Sequence, residues 1–316
     1  MSLNFDRLGR FLAKVEGGRY DRKIVSVTSE LGTAAGAGAP EDGYSQPFTR
    51  LSIGEGKYQQ VPDPDTERQI LYITGASGSG KSTYTATYLR NYKKIWPKRP
   101  IYCFSALKSD ESLDVVKPKR VAIDDALVSD PLPIEEFRDS CVIFDDIDVI
   151  SDKKQREAVY KILDSALETG RHFNVTVVIT NHLSTGGKDT RRVLNECHSV
   201  TYFPFSGSNV GLKRLLVDYL GLSTKQIAHV KTLKSRWCTI FKNYPTVILT
   251  ERDIWLANGD EDDAPVPGAA APAAAAAAAA TPAPTSEIGR NDQFTGPAPP
   301  KGKKKAATPL PEQPER

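Results

Sequence analysis

The residues best placed to do chemistry are Lys81 and Ser82, at the end of Gly75-Ala76-Ser77-Gly78-Ser79-Gly80-Lys81-Ser82-Thr83. The spacing fits G-x-x-x-x-G-K-[ST] at every fixed position, which is the pattern of a phosphate-binding loop. Glycines let backbone N–H groups turn inward and approach an anion, and a following helix adds the positive end of its dipole. Lys81 is expected to reach the β- and γ-phosphates of a nucleotide, and the Ser82 hydroxyl to ligate Mg²⁺.

A second group lies in CVIFDD, where an apolar run ends in Asp145 and Asp146. In that position Asp145 suits Mg²⁺ held through water, and Asp146 suits orienting and deprotonating an attacking water. Asp148 competes for the second role. VTVVIT ends in Asn181 and His182. An amide at that point can touch both a terminal phosphate and the lytic water, or simply make a turn. A lone histidine at a strand end is usually structural. Arg171 reads either as a basic residue favoured by a helix C-terminus or as a finger for a neighbouring subunit's γ-phosphate. Ser184–Arg192 reads as a flexible loop. Its Lys188, Arg191 and Arg192 suit either phosphate contacts along a nucleic acid or a solvated surface.

These residues need strands and helices to hold them. Gln69–Thr74 reads as a buried strand opening into the loop, with a helix running on to about Lys94. Pro100–Phe104, Cys141–Phe144, Val175–Thr180 and Ser199–Phe203 read as further strands, and Arg120–Ile123 as a short one. Val159, Ile162, Leu163, Ala166 and Leu167 fall at helical spacing, as do Leu212, Leu215, Leu216, Tyr219 and Leu220. Trp237–Phe241 and Thr246–Leu249 flank a hairpin. Alternating strands and helices predict an α/β fold with a mostly parallel sheet covered on both faces. Carboxylates at strand C-termini lie where ligands sit in such sheets. Ahead of this domain, Asp21–Ser29 and Phe48–Ile53 read as strands around a flexible Gly32–Gly43 loop. The expected divisions are 1–65, a small β-rich region; 66–257, the phosphate-loop domain; and 258–316, a disordered tail.

Composition sets the outer limits. The chain has 316 residues and a net charge of +3. From Asp260 onward eight acidic and six basic residues leave the body at +5, which permits nucleic-acid contact without demonstrating it. Gly268–Pro284 is almost all Ala and Pro and lacks the apolar residues that offset chain entropy; Lys301, Lys303, Lys304 and Lys305 form a basic cluster beyond it. Cys103, Cys141, Cys197 and Cys238 are not at metal-ligand spacing, and Cys103 and Cys141 read as buried thiols. No signal peptide and no apolar run of membrane-spanning length is visible, so the expectation is a soluble, intracellular protein.

GASGSGKST, CVIFDD, and GRHFNVTVVITNH followed by RRVLNECHSVTYF resemble the FtsK–HerA superfamily of DNA-pumping P-loop ATPases. The resemblance is to its poxvirus-type viral genome-packaging branch, found in large DNA viruses and virophages. It covers roughly Gln69–Phe203 and extends more weakly to Ala257. It implies an ATP- and Mg²⁺-dependent homo-oligomeric ring that moves double-stranded DNA, docks on a capsid or portal-type protein, and works in the host cytoplasm or virus factory, or with the virion. It puts Lys81 and Ser82 on nucleotide and Mg²⁺, Asp145 on Mg²⁺, Asp146 as base, Asn181 as sensor and Arg171 as a finger. FtsK proper has Glu and Gln where Asp146 and Asn181 stand, each longer by one methylene. Two other functions share such a sheet: a kinase acting on a small molecule or nucleotide, and a nucleotide-switch binding protein. An Asn-Lys-x-Asp guanine-reading element is absent from the sequence.

Overall fold

A computed structural model describes residues 1–28, 50–66, 68–182, 187–206, 209–232 and 234–257. The expected Gly32–Gly43 loop, the Ala/Pro tail and the Lys301–Lys305 cluster lie outside them.

The chain opens with β1 (Ser2–Asn4), β2 (Arg10–Glu16) and β3 (Ile24–Thr28), then β4 (Arg50–Ser52) and β5 (Lys57–Gln60). β1, β3, β2 and β5 form a four-stranded antiparallel sheet in that order. β6 (Ile70–Thr74) leads through the glycine loop into α1 (Lys81–Ile95), and β7 (Ile101–Ser105) follows. Short pieces come next: α2 (Glu111–Asp114), β8 (Lys119–Arg120) and α3 (Asp125–Ser129). Then come β9 (Cys141–Asp145), α4 (Lys153–Glu168), β10 (Thr176–Asn181), α5 (Gly187–Glu196) and β11 (Ser199–Tyr202). α6 (Asn209–Arg214) runs into a π-helical turn, Leu215–Tyr219. α7 (Thr224–Thr232) precedes β12 (Cys238–Phe241), β13 (Val247–Thr250) and β14 (Asp253–Leu256).

The large sheet has the order β4-β14-β13-β12-β11-β6-β10-β9-β7-β8. β11 through β8 are parallel, and β12, β13, β14 and β4 continue antiparallel. The near-continuous apolar runs of β6, β9 and β10 follow from burial on both faces. Ile70, Tyr72, Val142, Phe144, Val177 and Ile179 point to one face, against Val159, Ile162, Leu163, Ala166 and Leu167 of α4. Leu71, Ile73, Ile143 and Val178 point to the other, against Tyr84, Tyr88, Leu89 and Tyr92 of α1. Each fully buried Leu or Ile in these layers contributes about 1.5–3 kcal/mol. A third core, including Leu12, Val15 and Tyr58 with Leu249 and Ile254, joins the small sheet to β13 and β14.

Three readings are corrected. Ser184–Arg192 is not a loop throughout: from Gly187 it is α5, which buries Thr190, Val193 and Leu194. The segment Phe48–Ile53 contributes β4, which pairs with β14 in the large sheet rather than belonging to the small one. The short strand is Lys119–Arg120, one residue earlier and two shorter than Arg120–Ile123.

Candidate active site

The strand ends bring the candidate residues together. In the parallel register Asp145 lies between Ser105 of β7 and Thr180 of β10, while Asn181 pairs with Thr74 at the mouth of the glycine loop. Residues in register on parallel strands share a face, so two hydroxyls flank one carboxylate. Ser105 Oγ donates to Asp145 Oδ2 at 3.0 Å and Thr180 Oγ1 donates to Oδ1 at 2.7 Å. Thr180 also accepts the Asp146 N–H, at 3.1 Å on its hydroxyl and 3.2 Å on its carbonyl oxygen. Asp146 follows with φ 45°, ψ 43°, left-handed backbone that Asp tolerates better than most residues.

The loop is shaped for close approach. Gly80 has φ 108°, where a side chain would be strained, and it caps α1. A Cβ at Gly75 would stand 2.7 Å from Ser79 Oγ and 2.9 Å from Phe203. The Asn181 carbonyl accepts the Gly75 N–H at 3.2 Å, fixing the loop to the end of β10. Lys81 is buried; its Nζ donates to the Gly75 carbonyl at 3.0 Å and to His182 Nδ1 at 3.2 Å, and stands 3.7 Å from Asp146 Oδ2. His182 Nε2 lies 3.0 Å from the same Oδ2. Burial pushes the Asp146 carboxyl up from its ordinary range, against the pull of Lys81 and His182.

Lys81, Ser105, Asp145, Asp146 and His182 line a cleft of about 440 Å³ with Ser77, Gly78, Ser82, Thr83 and Asp110. On the other flank of the loop Phe203, Arg236 and Trp237 wall a hollow of about 130 Å³ beside Ser79, Gly80 and Thr83. Ser79 Oγ and Asp146 Oδ1 are buried without a hydrogen-bond partner, as expected where a ligand supplies one. Among the described residues there is no cluster of three or more His, Cys, Asp or Glu. Mg²⁺ is usually held by one or two carboxylates together with substrate phosphates rather than by a protein cage. Asp145 and the Ser82 hydroxyl in one cleft fit that donor set.

Not every candidate is here. Arg171 is exposed in the 3₁₀ turn Gly170–Phe173, ahead of β10, while Asn181 ends that strand. At about 3.3 Å per residue the strand alone separates the two by about 17 Å. Arg191 is exposed on α5, whereas Arg192 pairs with Asp164 at 2.6 Å and with Glu168. The Lys188 side chain lies outside the described structure. Sequence reasoning missed Ser105, Arg236 and Phe203, and passed over His182; Ser105 was discoverable only as the end of the strand beside β9.

No family model matches the chain. Over 251 residues it is 41% identical to the uncharacterised protein V3 of the Sputnik virophage, spanning 79% of this chain and 96% of V3. The chain belongs to the V3 family. Its fold is that of a P-loop NTPase, as the FtsK–HerA resemblance implied. Among solved structures, this V3-family chain is similar to the genome packaging NTPase B204 of Sulfolobus turreted icosahedral virus 2 in complex with AMPPCP. That match has 16% identity over 58% of this chain and 98% of B204, with a TM-score of 0.43. It is also similar to the pCW3 conjugation coupling protein TcpA, at 14% identity over 77% of each chain with a TM-score of 0.39. Among the described residues of this V3-family member no helix is long and apolar enough to cross a membrane.

Proposed function

We propose that the chain binds ATP with Mg²⁺ at Gly75–Thr83, hydrolyses it, and couples hydrolysis to movement of double-stranded DNA in the packaging of a viral genome. The observation that carries the hydrolytic part is the Asp146 carboxylate. Its Oδ2 faces Lys81 across the cleft at 3.7 Å while its Oδ1 is buried and unpartnered. The carboxylate thus stands beside the lysine that would hold the terminal phosphate, where a group able to take the attacking water's proton is needed.

In this reading the loop amides and Lys81 hold the phosphates, and Asp146 accepts the water's proton. Asn181, 9% exposed at the end of β10, senses the terminal phosphate from the strand that also anchors Gly75. Ser82 and Asp145 would hold Mg²⁺, which when bound neutralises charge developing on the transferred group. The hollow beside Arg236 and Trp237 would receive the nucleoside. Arg171 serves a neighbouring subunit, because its own site lies at the far end of the sheet; the protein then acts as a homo-oligomeric ring. DNA as cargo, a capsid or portal-type partner, and a place in the host cytoplasm, virus factory or virion all rest on the motif order.

The test is ATP turnover with and without double-stranded DNA, alongside native mass. DNA-stimulated release of phosphate by an oligomer is expected. Phosphate transfer to an added acceptor by a monomer, with little release to water, would replace this reading with a kinase.

A further inference from the structure

Two nitrogens of one imidazole meet the two charged groups of the site. Lys81 has hydrogen-bond donors only, so the nitrogen 3.2 Å from its Nζ, His182 Nδ1, must accept. The ring hydrogen is thereby assigned to Nε2, which lies 3.0 Å from Asp146 Oδ2. Oδ2 is thus faced by both His182 and Lys81, while Oδ1 is buried without a hydrogen-bond partner. The ring cannot drift far. It follows Asn181, whose backbone pairs with β6 and whose carbonyl holds Gly75.

We propose that His182 is a positioning residue for hydrolysis: standing beside Oδ2, it holds the Asp146 carboxylate turned toward Lys81 and the cleft. The proposal rests on Asp146 being the base. A free aspartate side chain can turn about its terminal torsion and offer either oxygen in several directions. A polar group fixed beside one oxygen limits that freedom before the reaction begins, which is how a neighbouring group contributes to rate without touching substrate.

The experiment compares His182→Ala, His182→Gln and Asp146→Asn in the full chain. Turnover and affinity for a non-hydrolysable ATP analogue with Mg²⁺ are measured separately, and thermal melts verify folding. His182→Ala should lower kcat about 10- to 100-fold, part of the roughly 10²–10⁴ that positioned proton transfer contributes, with affinity within about twofold of wild type. His182→Gln should recover most of the rate, because its amide N–H reaches the place of Nε2. Adding His182→Ala to Asp146→Asn should lower the residual rate no further, since both act through one carboxylate. Wild-type kcat in His182→Ala beside an inactive Asp146→Asn overturns the proposal alone. Equal losses in affinity and rate, without rescue by Gln, also overturn it. An active Asp146→Asn sinks the base assignment and the proposal with it.

Discussion

Thr180 and Asp145 are register partners on adjacent parallel strands, and the hydroxyl of the first donates to the carboxylate of the second at 2.7 Å. The carboxylate is only 4% exposed, so it depends on Thr180 and Ser105 in place of water. Thr180→Val keeps the shape and removes the donor. It should cost about 1.5–3 kcal/mol, the usual worth of a hydrogen bond to a buried charge. Mg²⁺-nucleotide affinity should weaken as well. Urea unfolding and a Mg²⁺ titration check both, and wild-type values in each would show that Ser105 suffices.

The two aspartates should separate by phenotype. Asp146→Asn is expected to bind ATP and Mg²⁺ but not to hydrolyse, since only the proton acceptor is lost. Asp145→Asn should weaken Mg²⁺-nucleotide binding itself. Lys81→Ala should abolish turnover in a folded protein. Affinity titrations on the three variants decide; the reverse pattern would exchange the acids.

Arg171 offers a test of assembly. An inserted guanidinium is worth about 10³–10⁵ in rate. Arg171→Ala and Asp146→Asn should each be nearly inactive alone. After subunit exchange their mixtures should regain activity, because some interfaces then carry an intact Asp146 on one side and an intact Arg171 on the other. A flat response to mixing ratio, with mixed oligomers confirmed by native mass, would place Arg171 outside catalysis.

DNA binding should be independent of sequence, with log affinity falling linearly in log salt. Each lost phosphate contact should shallow the slope by about 0.9. Arg191→Ala should do so. Arg192→Ala should change stability instead, because its guanidinium is already engaged by Asp164 and Glu168. An unaltered slope for Arg191→Ala would move the contact elsewhere.

His198 should make stability pH-dependent. Its Nδ1 accepts the Ile70 N–H at 3.3 Å; burial first, then the charges of Arg68, Lys242 and Arg10, lower its pKa to about 4. Unfolded, it returns to about 6.5, so between those values the unfolded chain binds more protons and stability falls as pH falls. Between pH 7 and 5 the loss should be about 2 kcal/mol from this group. His198→Asn should remove that part of the slope in denaturant unfolding measured across the range.

What could be read in the sequence was local. The glycine loop, the apolar strands and the acids at their ends are neighbours in the chain, so spacing alone announces them. Ser105 and Thr180 support Asp145 only because β7, β9 and β10 lie side by side, an order set by long-range pairing. α5 read as a loop because Gly187 and Asp189 are poor helix formers; burial of Thr190, Val193 and Leu194 overrides them. β4 finds its partner, β14, about two hundred residues away, as the Arg50–Asp253 ion pair spanning it records. His182 carries no periodic signal at all, and its importance is purely one of distance.

Tyr84, on the first turn of the helix that follows the phosphate loop, is buried with its hydroxyl bonded at 2.7 Å to both Gln60 and Thr239. Gln60 leaves the ribosome before Tyr84, but Thr239 follows it by 155 residues. At about 5–20 residues per second that gap is about 8–30 s. Throughout that interval the helix beneath the nucleotide lacks its last partner. The helix that follows the phosphate loop is therefore among the last parts of the body to be anchored during synthesis, and a chain that stops before β12 carries the loop and both acids without that anchor.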